Sequence, residues 1–357
     1  MLALLRRNRA FRTVFLAQVI SYAGDWFATV ALIGLVRDES GSDLGASLVF
    51  VAQALPAFFT APLAGPVADR FDRRAVMVTA SSLQIIAAGG FFFSHHGLWL
   101  AFAAQASISA LGAFFAPASQ AAIPNLVDED DLATATTLMA ATWGTMLAIG
   151  AGLGGVFTVL FGRTAAFAAD LASFAIAGAL IMTVRRPMRA GATAAIGRLR
   201  PIRDTAAGLR YARGNPTVMA LLASKAGFGL SSGLISIVVV LAEDRFATSD
   251  GGTGMLLAVR GIGVVVGPLL ARRFMQRGLP ALLTACGISA IVNGAAYSLV
   301  PWVSALALVA LLVLVAHLGG GTQWLLSTYG LQVSTPDELR GRIFATDFAL
   351  VTLSMSL

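Results

Sequence analysis

Gly65-Pro66-Val67-Ala68-Asp69-Arg70-Phe71-Asp72-Arg73-Arg74 packs five charges into ten residues between two apolar runs, 45–67 and 75–94. Each run holds about the 20 residues a helix needs to cross a bilayer. The turn therefore reads as the link between two membrane spans, and the same alternation of apolar run and polar break continues in both directions. Spans are expected at 11–36, 45–67, 75–94, 98–123, 133–161, 164–184, 216–241, 252–271, 279–300, 302–331 and 341–357. The runs are apolar on all sides, which excludes the alternating strands of a β-barrel. Their Gly and Pro residues are tolerated where close helix packing satisfies the backbone.

Composition points the same way. The 357 residues are 57% hydrophobic and 12% charged, whereas a soluble domain carries about a quarter of its residues as charged side chains. With a mean hydropathy of +0.80, the chain reads as an all-α integral membrane protein. A single Cys, Cys286, excludes a disulfide framework, and three His leave little for metal catalysis. The net charge of +7 would suggest nucleic acid in a soluble protein, but topology explains it here. With the N-terminus inside, 20 of the 25 Lys and Arg fall in cytoplasmic segments and three (Arg37, Arg163, Arg245) in outer loops. A multi-pass protein of the cytoplasmic membrane is expected, with no nucleic-acid partner. The acidic loop Asp128–Asp131 runs against the bias, although acidic residues carry little weight in it. The basic start and apolar run of residues 1–36 imitate a signal peptide. That run is too long and lacks a small-residue cleavage site, so it is kept as span 1.

The chain repeats itself. Arg6-Arg7-Asn8-Arg9 returns as Arg213-Gly214-Asn215-Pro216, Gly65-Pro66 as Gly267-Pro268, and Asp131-Leu132 as Glu338-Leu339, at offsets of 207, 202 and 207. Three matches in order at nearly one offset imply two six-span halves related as parallel repeats. These are residues 1–184 and 216–357, joined by a basic linker at 185–215. The offset places the end of the second half near residue 391. The sequence is thus expected to stop within span 11, leaving about five spans in the second half.

The 65–74 turn resembles the loop 2–3 signature of the major facilitator superfamily, Gly-x-Leu-x-Asp-Arg-x-Gly-Arg-Arg/Lys. Val67 stands for Leu and Asp72 for the second Gly. Ser21-Tyr22-Ala23-Gly24-Asp25-Trp26, Phe167-Ala168-Ala169-Asp170-Leu171-Ala172-Ser173-Phe174 and Pro336-Asp337-Glu338-Leu339-Arg340-Gly341-Arg342 are similar to its drug:proton antiporter branch, which includes the enterobactin exporter and macrolide efflux proteins. The resemblance implies two six-helix bundles related by pseudo-symmetry, here eleven spans with the last truncated. It also implies a cytoplasmic gate in which Gly65, Asp69, Arg70, Arg73 and Arg74 lock against the start of span 11, around Arg340–Arg342. A solvated turn obeying the charge bias would explain the arginines but not the spacing of the Asp. Gly150, Gly154 and Gly155 resemble the antiporter signature Gly-Pro-x-x-Gly-Gly, with Ala151 in place of the proline. Close helix packing alone would also explain them.

Five ionisable residues fall inside spans: Asp25, Asp170, Lys225, Arg260 and Asp347. Each is a functional candidate, because an unpaired charge in a span costs several kcal/mol. Asp25 lies about 14 residues, roughly 21 Å of helix rise, from the inner end of span 1. A carboxylate in a low-dielectric cavity can hold and exchange a proton, which suits coupling or substrate contact. A structural hydrogen bond is the plainer alternative. Asp170, near Ser173, reads as a polar contact or a second carrier. Lys225 and Arg260 lie near the midplane and either line the cavity or pair with a carboxylate. Lining it, they would favour anionic or zwitterionic substrates or hold Asp25 ionised; Asp347 could pair with either. His95-His96 lacks a third ligand, so no metal is expected. Gly319-Gly320-Gly321 follows no strand and is no phosphate loop. Trp26, Trp143, Phe228 and Trp324 are candidates to line an apolar cavity or to pack.

The expected function is proton-coupled export of a small amphipathic molecule of the drug, macrolide or siderophore class. It would proceed by alternating access in a monomer within the lipid bilayer, with the proton gradient in place of a cofactor. The alternatives are an uptake permease or facilitator of the same superfamily, or a non-transporting membrane sensor. No nucleophile–base pair or cofactor fingerprint points to an enzyme.

Overall fold

A computed structural model describes residues 1–41, 43–189, 201–246 and 250–356, and each expected span falls largely on one helix. After a short α1 (Leu2–Arg7) come α2 (Arg9–Ser40), α3 (Asp43–Arg70), α4 (Arg73–Gly89), α5 (Leu98–Leu126), α6 (Glu129–Phe161) and α7 (Arg163–Met182). Then follow α8 (Pro201–Gly214), α9 (Pro216–Phe246), α10 (Asp250–Met275), α11 (Leu279–Leu299), α12 (Leu306–Ser334) and α13 (Asp337–Ser356). The segments expected as spans 1–6 fall on α2–α7 and those expected as spans 7–11 on α9–α13, the 75–94 segment running past α4 into a 3-10 turn at Gly90–His96. Eight helices are long and apolar enough to cross a membrane, so the chain is a multi-pass membrane protein. Three of the eleven expected spans, α6, α10 and α13, fall below that measure among the described residues.

Local chemistry sets the helix ends. Asn8 caps α2 by accepting from the Phe11 amide at 2.9 Å, and Asn215 caps α9 by accepting from Thr217 and Val218 at 3.1 and 3.2 Å. The two asparagines matched by the repeat thus do the same job. Asp72, where the signature has Gly, caps α4 through the Ala75 amide at 2.9 Å. Gly41, at φ 62°, ends α2 in the left-handed region that favours glycine.

Helices α2–α7 pack among themselves, as do α9–α13; α3 and α5 meet α13, and α6 meets α10 and α12. Small residues permit the tightest crossing, α10 on α12. A Cβ on Gly263 would lie 2.8 Å from the Leu314 carbonyl oxygen, and one on Gly321 2.9 Å from Pro268. Gly319 and Gly320 similarly press on α11 and Phe228, so this triplet packs helices.

One end of the bundle, where α3 turns into α4 and α12 into α13, gathers most of the arginines and is called the basic end below. The acidic loop finds its partners there, Arg7 pairing with Asp131 and Arg186 with Asp128 at 3.4 Å. Sequence distance hid both pairings. Of the expected linker, 190–200 lie outside the described residues. Its second part is α8, held at the basic end by a Tyr211 hydroxyl bond to the Ser334 carbonyl at 2.9 Å.

Candidate functional site

Asp25 on α2 and Asp170 on α7 line one cavity of about 390 Å³. The approach of the two helices depends on Gly24, because a Cβ there would lie 2.6 Å from Ser173 Cβ and 3.0 Å from Asp170 Oδ1. Gly24 therefore delivers Asp170 beside Asp25, close enough for the two carboxylates to interact electrostatically. Asp170 is 1% exposed, and its Oδ1 has no hydrogen-bond partner among the described residues. The Ser173 hydroxyl, the contact expected for it, donates instead to the Asp170 backbone carbonyl at 2.7 Å. Asp25 is half-buried, with neither hydrogen bond nor ion pair among the described residues.

Amides and hydroxyls fill the rest of the wall. Gln18 donates to the Tyr22 hydroxyl at 2.5 Å and accepts from Ser119 at 3.1 Å; Gln53 donates to Thr29 at 2.7 Å. Trp26 lines the cavity and packs against α6 where Gly150 and Gly154 present no side chain. A Cβ on Gly150 would lie 2.5 Å from the Trp26 ring, and one on Gly154 2.9 Å from its carbonyl oxygen. Gly155, the third residue of that motif, faces open space. Phe348 of α13 closes the cavity from the other half of the chain.

Neither candidate cation lines this cavity or holds Asp25. Lys225 on α9, 1% exposed, sits 2.8 Å from Asp347 Oδ2 and 2.9 Å from the Thr328 hydroxyl, 4.1 Å above the Trp324 ring. Phe228 packs edge-on to that ring at 5.3 Å. Arg260 on α10 lies instead near Tyr297 and His317. Its Nε is buried without a hydrogen-bond partner among the described residues. The Trp143 side chain lies outside the described residues. The His95 and His96 rings lie 4.0 Å apart, tilted by 43°, with His95 Nδ1 3.1 Å from the Phe92 carbonyl, and no cluster of three metal-ligating residues occurs among the described residues.

At the basic end, Asp69 reaches across to α13, accepting from the Gly341 amide at 2.5 Å and the Arg342 amide at 3.1 Å, with Arg342 Nε at 3.3 Å. Gly65 permits this contact, since a Cβ there would lie 2.7 Å from Arg342 Cα. Arg73 is fully buried and donates to the carbonyls of Ala121 and Met188, to Asp337 Oδ1 at 2.8 Å and to the Asp337 carbonyl at 2.9 Å. Asn125 also donates to Asp337 Oδ1, at 2.9 Å. Arg74 stays on its own side, bonded to the Val184 carbonyl at 2.9 Å, and the Arg70 carbonyl accepts from Arg189 at 3.1 Å. A second link joins α10 to α6, where Arg272 donates to the Thr134 hydroxyl at 2.7 Å. Arg272 stands 203 residues after Asp69, and Thr134 stands 207 before Gly341. The repeat offset thus relates this contact to the one between Asp69 and Gly341.

Known proteins agree with the architecture. The family model described as transmembrane secretion effector, within the major facilitator superfamily, matches residues 2–357. The multidrug efflux pump Tap of Mycolicibacterium fortuitum is 24% identical over 92% of this chain and 82% of its own length. The MFS-type transporter YfiS of Bacillus subtilis is 24% identical over 51% of this chain, and the match spans under half of YfiS, 44%. Among solved structures, a bacterial homologue of the iron transporter ferroportin superposes with a TM-score of 0.80 at 16% identity, covering 97% of this chain and 90% of that one. These matches and the helix packing above agree: the chain belongs to the transmembrane secretion effector family of major facilitator superfamily transporters.

Proposed function

We propose that the protein exports a small amphipathic molecule in exchange for protons, with its basic end facing the cytoplasm. The observation that carries this reading is the pairing of Asp25 and Asp170 in one cavity with no cation beside either among the described residues. Two like charges in a low-dielectric space repel strongly, so the pair acts as one proton-binding unit rather than two fixed anions. Substrate entry that displaces the shared proton, and re-protonation after release, would give antiport. Each state would face one side only. The contacts of Asp69, Arg73 and Arg272 would close the basic end in one of these states. The similarity to an efflux pump supports the outward direction.

Efflux from cells expressing the protein tests the reading with a panel that includes ethidium and tetracycline. Wild-type efflux should collapse with a protonophore, and Asp25→Asn should abolish coupled efflux while the protein still inserts. Efflux that keeps the wild-type rate and protonophore sensitivity in Asp25→Asn would remove Asp25 from the coupling step.

A further inference from the structure

Two cations lie within the membrane-spanning region of α9 and α10, and they are treated differently. Lys225 is neutralised by Asp347. Arg260 has neither a hydrogen bond nor a carboxylate partner among the described residues, and its Nε is buried. The groups that feel its charge are Tyr297 on α11 and His317 on α12. His317 Nδ1 lies 3.0 Å from the Val313 carbonyl, which only accepts, so this nitrogen carries the proton. In the neutral ring Nε2 is then an acceptor, facing the Tyr297 hydroxyl at 3.4 Å. The cluster therefore keeps the single positive charge of Arg260 with nothing to balance it. An unbalanced charge at this depth costs several kcal/mol unless a partner or water reaches it.

Arg260 is part-exposed, and helix geometry indicates on which side it lies. Ile262 and Leu269, exposed at 53% and 45%, mark the outer face of α10. At 3.6 residues per turn, Arg260 points about 160–180° away from them. Its side chain thus lies on the inner side of α10, the side where Gly263 meets α12.

We propose that Arg260 binds the anionic group of the transported molecule, a carboxylate or phosphate ester. A guanidinium suits this role because its planar fork matches such groups bidentately. The inference rests on the export reading for the word "transported", but its test measures binding alone and stands or falls separately from transport.

The test uses purified protein in phosphatidylcholine nanodiscs and two isosteric probes, 1-naphthaleneacetate and the neutral 1-naphthaleneacetamide, with protein-free discs subtracted. Wild type should bind the acetate at least about tenfold more tightly than the amide. Arg260→Gln should remove that preference and leave amide affinity unchanged. Arg260→Lys, which keeps the charge and loses the fork, should retain part of it. Equal affinity of wild type for both probes overturns the proposal and requires no variant to fold. So does undiminished acetate preference in Arg260→Gln. Discs containing phosphatidylglycerol separate the remaining source of the anion: Arg260-dependent thermal stabilisation by this lipid, without preference for naphthaleneacetate, would assign the site to a lipid headgroup and overturn the substrate assignment.

Discussion

Replacing Asp69 by Asn should open the basic end. The carboxylate meets three donors of α13: the Gly341 amide, the Arg342 amide and Arg342 Nε. An Asn oxygen can keep the Gly341 bond, but its NH2 group then faces the other two donors. Hydrogen bonds to charged groups are worth about 1.5–3 kcal/mol each. Losing both is worth about 3–6 kcal/mol, all of it in the closed state, because these groups separate on opening. At about 1.4 kcal/mol per tenfold, the closed-to-open ratio should fall at least about 100-fold. Spin labels at positions 71 and 338, both exposed and on opposite sides of the contact, report it in a Cys286→Ala background. Wild type should give a dominant short-distance population, and Asp69→Asn a new long-distance one. Asp72→Asn, which alters the cap of α4 and an exposed 3.9 Å ion pair with Arg74 in the same half, should leave the distances unchanged. An Asp69→Asn distribution identical to wild type would refute the reasoning that Asp69 holds the two halves together.

Arg272→Gln removes the matching bond to Thr134 and should shift the same distances less than Asp69→Asn does, since a single hydroxyl acceptor is lost. Lys225→Met leaves Asp347 buried without its cation and should destabilise the solubilised protein by about 3–5 kcal/mol; adding Asp347→Leu should recover much of that loss in thermal unfolding. Gly150→Ala forces Trp26 to move and should cost about 1–3 kcal/mol, whereas Gly155→Ala, with open space before it, should leave the melting temperature unchanged.

The helices were legible because twenty apolar residues in a row have few other ways to satisfy their backbone. At the 65–74 turn the resemblance pointed to Gly65, Asp69 and Arg73, which do meet α13, but also to Arg74, which bonds within its own half because helix phase turns it away. The pairing of Lys225 with Asp347 was among the written alternatives but could not be chosen, because helix rotation decides it. The meeting of Asp25 and Asp170 was invisible. It depends on Gly24 having no side chain against Ser173, a fact about two helices 145 residues apart. The acidic loop misled for a similar reason, its balancing Arg7 lying at the chain start. Gly155 matched its motif by spelling alone, since helical phase turns it away from the crossing that Gly150 and Gly154 make.

Proton movement itself tests the exchange most directly. Inside-out proteoliposomes carry pyranine in the lumen, and a compound found to be exported is added outside. Transport should alkalinise the lumen in wild type, and Asp25→Asn/Asp170→Asn should bind the compound without moving protons. Wild-type transport with no change in lumenal pH, or proton movement undiminished in the double variant, would contradict the assignment of coupling to this pair.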